Sequence, residues 1–211
     1  EAQWNDLTHF EGNANAFRLL THQFEGRRKG GFVLTYPTLA SIVKYPYSSS
    51  AIQKKSKFGF FTTEEESFRK IADELGIKCK STEPLIYARH PLVYLVEAAD
   101  DICYEIMDIE DSFKLKLLSR EETFDLLMVF FKEERRAKIR QMLDKVTDEN
   151  EQVAYLRARA IGLLTHECTQ AFLRNEEAIL EGEFQGTTNP ITLPPPISAF
   201  GTSAIHLHLS R

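Results

Sequence analysis

Apolar residues recur every three or four positions along most of the chain before residue 186, the spacing of one face of an α-helix. Thr63 and Ser119 each precede a glutamate by three residues, the spacing of a capping box that opens a helix. No segment shows sustained strand alternation between hairpin turns. The pattern therefore predicts an all-α fold. Its clearest helical segments are residues 10–25, 63–76, 119–131 and 149–180.

The stretch 89–111 is the most informative of the predicted helices. Pro91 suits a first turn, and no later residue of the stretch breaks a helix. The rest of its circumference is mostly apolar, which predicts a largely buried helix. Buried carboxylates need compensation, so we expect a metal ion or a polar ligand to face them; a solvated ridge or structural salt bridges are the alternative. One narrow sector of this helix, called here the acidic stripe, carries Glu97, Asp100, Tyr104, Asp108 and Asp111.

Composition narrows the class of protein. A chain of 211 residues with 43% hydrophobic content can bury one sizeable core. The net charge of −5 gives no reason to expect non-specific binding to nucleic acid or membranes. No apolar run is long enough to span a bilayer, so we expect a soluble, cytoplasmic protein. The three cysteines form no CxxC motif, and we expect them to be buried thiols.

The character of the chain changes after Gly186. The remaining residues carry no charged side chain before Arg211 and hold four of the eight prolines. We therefore expect one domain over residues 1–186, followed by an extended or disordered tail over 187–211. His206 and His208 alternate in this tail, but two histidines without a third ligand are a weak metal signal.

Four sequence blocks resemble a known family. The string RHPLVYLVEAADDICYEIMDIED, at 89–111, is similar to the signature of the deoxyguanosine triphosphate triphosphohydrolases, which are HD-superfamily phosphohydrolases. HFEGNANAFRLL at 9–20 is similar to a second motif of that family, and LTYPTLASIVKYP at 34–46 and KKSKFGFF at 54–61 are similar to its triphosphate-binding segments. The resemblance implies an HD-domain-like helical fold and metal-dependent hydrolysis of dGTP, or of other dNTPs, to deoxynucleoside and triphosphate. It also implies a divalent metal such as Mg²⁺ or Mn²⁺, and a homo-oligomer.

The resemblance assigns four residues to the nucleotide. Asn13 matches the family's nucleotide-contacting asparagine, Lys44 and Tyr45 match its KYP block, and Lys57 matches the lysine before its Phe-Gly pair. Taken alone, these residues have ordinary interpretations. Asn13 suits a helix cap, Lys44 suits the end of a short helix over 35–44, and Lys57 suits a solvated loop.

The resemblance assigns three further residues on the acidic stripe. Asp100 matches the last metal ligand of an HD site, while Tyr104 and Asp108 match residues that meet the deoxyribose. The chain has no His-Asp dipeptide, which would supply the other metal ligands. The catalytic residues are therefore unknown in this chain, and we expect them upstream of it.

Two other functions stay open. The chain could be a catalytically incomplete nucleotide-binding or regulatory fragment, which dGTP binding without turnover would indicate. Alternatively, the basic stretch around Arg135 could bind single-stranded nucleic acid, as an effector or as the main function. A solvated helix face is the simpler interpretation of that stretch.

Overall fold

A computed structural model describes residues 2–23, 25–26, 31–51 and 57–184 of the chain. These residues are predominantly helical, with one short antiparallel hairpin, which confirms the predicted all-α, HD-domain-like class. The elements are α1 Ala2–Thr8, α2 Gly12–Thr21, α3 Tyr36–Ser41, α4 Glu65–Leu75, β1 Cys79–Thr82, β2 Leu85–Tyr87, α5 Pro91–Lys114, α6 Arg120–Met128, α7 Glu133–Leu143, α8 Glu149–Arg174 and α9 Glu176–Leu180.

The helix boundaries partly follow the predicted caps. Ser119 and Glu122 form a full capping box at the start of α6, as predicted. The second predicted box is wrong, because Thr63 lies inside a 3-10 turn and α4 begins after it without a side-chain cap. Gly76 ends α4 in the left-handed conformation, as its position after the last apolar residue indicated.

The observed elements differ from the predicted ones at several places. The helix predicted over 35–44 ends at Ser41, so Lys44 lies beyond it. The long helical pattern over 149–180 is interrupted at Asn175, between α8 and α9. The β1–β2 hairpin was not predicted, because strands of four and three residues are too short to show alternation.

Chain contacts divide the described residues into two compact units, the first within residues 2–97 together with 175–184 and the second within residues 98–174. The core of the first unit is aromatic. Phe68 stacks on Phe60 with ring centroids 4.6 Å apart and meets Phe17 edge-on at 5.8 Å. This packing holds α2 and α4 against the segment that contains Phe60.

The core of the second unit is mainly aliphatic. Ile102, Ile106 and Ile109 of α5 pack in one cluster with residues of α6, α7 and α8. Glu110 lies beside this cluster and is buried, and its Oε2 accepts a hydrogen bond of 2.6 Å from Arg157. Burial opposes ionisation of Glu110, but the hydrogen bonds from Arg157 and Lys114 outweigh it and lower the pKa of the carboxyl.

The structure corrects the prediction that α5 is buried on nearly all sides. Only the face that carries Val93, Ala98 and the three isoleucines is covered. A periodic pattern shows which residues share a face, but it does not show which faces another element covers. The apolar residues of α5 that lie exposed or at its open edge are Leu92, Leu95, Val96, Ala99, Cys103 and Met107.

Some predicted features lie outside the described residues. They are the tail over 187–211 and the start of the KKSKFGFF block, which includes Lys54 and Lys55. Of the three cysteines, Cys168 is buried as expected, whereas the other two are exposed and correct that prediction. Cys79 lies on the exposed hairpin and Cys103 on the open side of α5. Among the described residues, no helix combines the length and apolarity needed to cross a membrane.

Candidate anion-binding site

The N-terminus of α2 is organised by a buried glutamate. Glu11 is 3% exposed and is the N-cap of the helix. Its Oε2 accepts from the backbone N–H groups of Asn13, at 2.6 Å, and Ala14, at 3.3 Å. The cap is therefore Glu11 and not Asn13, whose side-chain Nδ2 donates to the other oxygen, Oε1, at 3.0 Å. The side-chain amide of Asn13 is thus held at the N-terminus of α2.

Lys57 reaches the same carboxylate from a distant part of the chain. Its Nζ lies 2.8 Å from Glu11 Oε1, while 48% of the lysine side chain is exposed. Burial favours the neutral form of Glu11, but the hydrogen bonds from Lys57 and Asn13 prevail and lower the pKa of the carboxyl. The same hydrogen bond raises the pKa of Lys57. Both groups are charged near neutral pH, and the ammonium keeps two further N–H groups for a ligand.

A second buried carboxylate holds two more cations. Glu97, on α5, is 5% exposed. Its Oε1 lies 2.7 Å from Nζ of Lys44, an ion pair without hydrogen-bond geometry, and its Oε2 accepts from Arg89 at 3.0 Å. Arg89 also lies over the ring of Tyr94, at 5.8 Å from its centroid. About one third of the Lys44 side chain (32%) remains exposed.

Two tyrosines lie beside the charged groups. The ring of Tyr45 is 5.9 Å from Nζ of Lys44 and 6.3 Å from the ring of Tyr47. The charges of both Glu11 and Arg89 act on the Tyr47 hydroxyl, whose pKa burial raises. Tyr47 and both ion-pair groups belong to the first unit.

The segments that carry these residues meet closely at Gly59. Its backbone N–H donates to the carbonyl of Tyr47 at 3.0 Å. A Cβ at this position would overlap the carbonyl oxygen of Tyr45 and lie 2.6 Å from Val43 Cγ1. Only glycine allows this approach, which brings the segment after Lys57 against the segment after Lys44.

The charges of this region are suited to an anion. Three cations, Lys44, Lys57 and Arg89, face two carboxylates, Glu11 and Glu97, which leaves one net positive charge. Since both carboxylates are buried while both lysines are partly exposed, an approaching anion meets the cations first. The resemblance supplied Asn13, Lys44, Tyr45 and Lys57 but missed the other charged members and Tyr47. Glu97 was one of the acids of the stripe, and the structure shows the salt-bridge alternative for it, with Lys44 and Arg89 as its partners.

The other predicted residues lie on α5 in the second unit. Asp100, Tyr104 and Asp108 follow one another at four-residue spacing on one face, and all three are exposed, Tyr104 by 64%. Within the described part of the chain, no group of three or more histidine, cysteine or acidic side chains could hold a metal ion. Asp100 is a single carboxylate, so these residues by themselves do not fit a divalent metal site.

A different acidic pair on α5, Asp101 and Glu105, is electrostatically unfavourable when both carboxyl groups are charged. Glu105 points its Oε2 into a buried position without a hydrogen-bond partner among the described residues. Burial, together with the nearby charge of Asp101, raises the pKa of Glu105 to about 7. Sequence reasoning missed this residue, because it is not on the acidic stripe.

The basic helix α7 does not present a uniform positive surface. Arg136 donates to Glu133 Oε2 at 2.9 Å and to the carbonyl of Phe131 at 2.8 Å. Arg140 lines a surface cavity of about 280 Å³ in which acidic groups are also present. Mixed charges favour a solvated face over a phosphate-binding one. The cavity is lined by Arg120, Glu121, Phe124, Asp125, Met128 and Arg140.

The described residues form a helical protein with a candidate anion site that contains two lysines, and comparisons with known proteins found relatives of the chain. No protein-family model matches the chain. A deoxyguanosinetriphosphate triphosphohydrolase-like protein of Pseudomonas aeruginosa is 39% identical over 194 residues, which cover 88% of this chain and 42% of that protein. One from Synechocystis is 34% identical over 96% of this chain and 48% of the relative.

A deoxyguanosinetriphosphate triphosphohydrolase of Yersinia enterocolitica is 30% identical over 85% of this chain and 37% of the enzyme. These matches confirm the predicted resemblance: the chain is similar, over most of its own length, to proteins named as deoxyguanosine triphosphate triphosphohydrolases or as like them. It spans less than half of the length of each of these proteins.

Proposed function

We propose that this chain supplies the triphosphate-binding part of a metal-dependent enzyme that hydrolyses dGTP, or another dNTP, to deoxynucleoside and triphosphate. The observation that carries the proposal is the pair of partly exposed lysines, Lys44 and Lys57, each held by a buried carboxylate in the first unit. The names of the relatives support a triphosphate ester as the ligand.

The residues of the first unit perform binding and orientation. Lys44 and Lys57 donate charge-assisted hydrogen bonds to phosphate oxygens, and Asn13 donates its amide N–H. Tyr45, next to Lys44, offers a hydroxyl that can donate to a phosphate or a sugar oxygen. A hydrogen bond to a charged group contributes about 1.5–3 kcal/mol, so each lysine should account for roughly ten- to hundredfold of the affinity.

The residues of α5 have roles that rest on the resemblance alone. We propose that Asp100 contributes one ligand to a divalent metal such as Mg²⁺ or Mn²⁺, and that Tyr104 and Asp108 meet the deoxyribose. Because the described residues give no complete metal site, no chemical step is assigned to them. A cytoplasmic location and assembly as a homo-oligomer are also part of the proposal.

One observation favours a second candidate function, a nucleotide-binding fragment without catalysis. The described residues hold no cluster of metal ligands, although they do hold the ion pairs Lys44–Glu97 and Lys57–Glu11. Single-stranded nucleic acid as an effector is a weaker proposal, since acidic side chains share the cavity beside α7.

The experiment that separates these functions is incubation of the purified chain with dGTP and Mn²⁺, with products resolved by chromatography and binding measured in parallel. Asp100→Ala serves as the matched variant. We expect dGTP to bind without release of deoxyguanosine and triphosphate. Turnover that is lost in Asp100→Ala would show a complete site and contradict a partial one, whereas absence of dGTP binding would contradict the proposed function as a whole.

A further inference from the structure

We propose that Glu11 is the positioning residue that sets Asn13 and Lys57 for the triphosphate, an assignment that rests on the proposed function. Glu11 does not touch the ligand in this proposal. It acts through the two groups that it holds, and it couples the start of α2 to the loop that contains Lys57.

The two oxygens of Glu11 make different contacts. Oε2 accepts from two backbone N–H groups, those of Asn13 and Ala14, and thereby caps α2. Oε1 accepts from two side chains, Asn13 Nδ2 at 3.0 Å and Lys57 Nζ at 2.8 Å. One oxygen therefore stabilises the helix, while the other gathers the ligand-binding donors.

The choice of glutamate at this position fits the second task better than the first. Serine, threonine, aspartate and asparagine are the preferred N-caps, because their shorter side chains reach the N2 and N3 amides. Glutamate has one more methylene group than aspartate. That extra reach lets the carboxylate cap the helix with one oxygen and meet Lys57 with the other.

Burial makes the arrangement rigid. Glu11 is 3% exposed and accepts four hydrogen bonds, so its carboxylate is fixed, whereas Lys57 is a long side chain that is almost half exposed. Lys57 loses part of its conformational freedom when Glu11 holds one N–H of its ammonium. Ligand binding then has less side-chain entropy to remove. Glu11 thus pre-organises Lys57 and leaves the other N–H groups of the ammonium for a ligand.

Glu11→Asp tests the proposal, because aspartate keeps the charge and the cap but loses the reach to Lys57. Calorimetry with dGTP is run on four proteins, namely the wild-type chain, Glu11→Asp, Lys57→Met and the double variant. We expect Glu11→Asp to bind dGTP about tenfold more weakly than the wild type and to melt at nearly the same temperature. In the Lys57→Met background, the same substitution should weaken dGTP binding far less, because the residue it positions is gone.

Two further measurements separate positioning from folding. The pKa of Lys57, followed by NMR, should fall in Glu11→Asp towards that of an ordinary lysine. Glu64→Asp is the control: it shortens another buried carboxylate of the first unit, one that pairs with Arg18 at 2.9 Å, and should leave dGTP affinity unchanged.

The outcomes distinguish this inference from the function on which it rests. If the wild-type chain does not bind dGTP, the proposed function fails, and the role of Glu11 in it fails as well. If the wild type binds dGTP and Glu11→Asp binds it equally well, only the positioning role is overturned. An equal loss in the presence and absence of Lys57 would overturn it too, since Glu11 would then act on something else.

Discussion

Nζ of Lys44 lies 2.7 Å from Oε1 of Glu97, a carboxylate that is 5% exposed and that also accepts from Arg89. One buried negative charge therefore holds two cations at the candidate anion site. Breaking such a pair is costly, because Arg89, whose side chain is only 18% exposed, would keep its charge in a poorly solvated place without compensation.

Replacement of Glu97 should therefore destabilise the first unit. We expect Glu97→Ala to lose about 3 kcal/mol of unfolding free energy, in the range seen when one partner of a buried pair is removed. Thermal and urea unfolding check this value. The control is Glu183→Ala, which breaks the exposed ion pair with Lys78 and should leave the melting temperature unchanged. Equal effects of the two substitutions would contradict the importance of burial at Glu97.

The close approach at Gly59 predicts a second sensitive position. Gly59→Ala places a methyl group against the carbonyl oxygen of Tyr45, so the segments that carry Lys44 and Lys57 must separate. We expect the melting temperature to fall by several degrees and dGTP binding to weaken. The matched control is Gly162→Ala in α8, where a Cβ meets nothing within 4 Å and helix propensity improves by about 1 kcal/mol.

Unfolding scans of both glycine variants give the comparison. Gly162→Ala should melt at the wild-type temperature or above it, while Gly59→Ala melts below it. A Gly59→Ala chain that is as stable as the wild type and binds dGTP normally would show that the two segments are not held at this contact.

Glu105 predicts a pH dependence of stability. The pKa of Glu105 is about 7 in the folded chain, against an ordinary value of 4.5. Between these two pH values the unfolded chain loses the proton of Glu105 while the folded chain keeps it, so stability falls as the pH rises from about 4.5 to 7. Below that window both states are protonated, and above it the penalty is constant.

Glu105→Gln should remove this penalty, because the amide is neutral at every pH. We expect the variant to melt a few degrees above the wild type at pH 8 and at a similar temperature at pH 4.5, as measured by thermal unfolding. Glu74→Gln, at an exposed position of α4, is the control and should change neither value. If Glu105→Gln melts below the wild type at pH 8, the carboxylate has a stabilising partner.

Local patterns predicted much of the fold, because helix periodicity and capping are properties of neighbouring residues. The Ser119 capping box and the stop at Gly76 are examples. The burial of α5 was not predictable in this way, since it depends on which faces other elements cover. The same limit explains why the exposure of Cys103 was missed.

The candidate site shows the limit most clearly. Sequence resemblance supplied Asn13 and Lys57, but their shared partner Glu11 was not expected. Glu11 is separated from Lys57 by 46 positions, and no periodicity reports a contact at that distance along the chain. Glu97 belonged to the acidic stripe, for which a ligand and structural salt bridges were alternatives, and the structure shows it in salt bridges with Lys44 and Arg89. The roles of Asp100, Tyr104 and Asp108 remain predictions.

Calorimetric titration of the chain with dGTP, compared across Lys44→Met, Lys57→Met and Lys70→Met, tests the central claim most directly. Lys70 is an exposed lysine of α4 in the same unit, so its removal makes the same change in net charge elsewhere. The account predicts roughly ten- to hundredfold weaker binding for the first two variants and wild-type affinity for the third. Equal affinity in all four proteins, or an equal loss in all three variants, would contradict a triphosphate site built on Lys44 and Lys57.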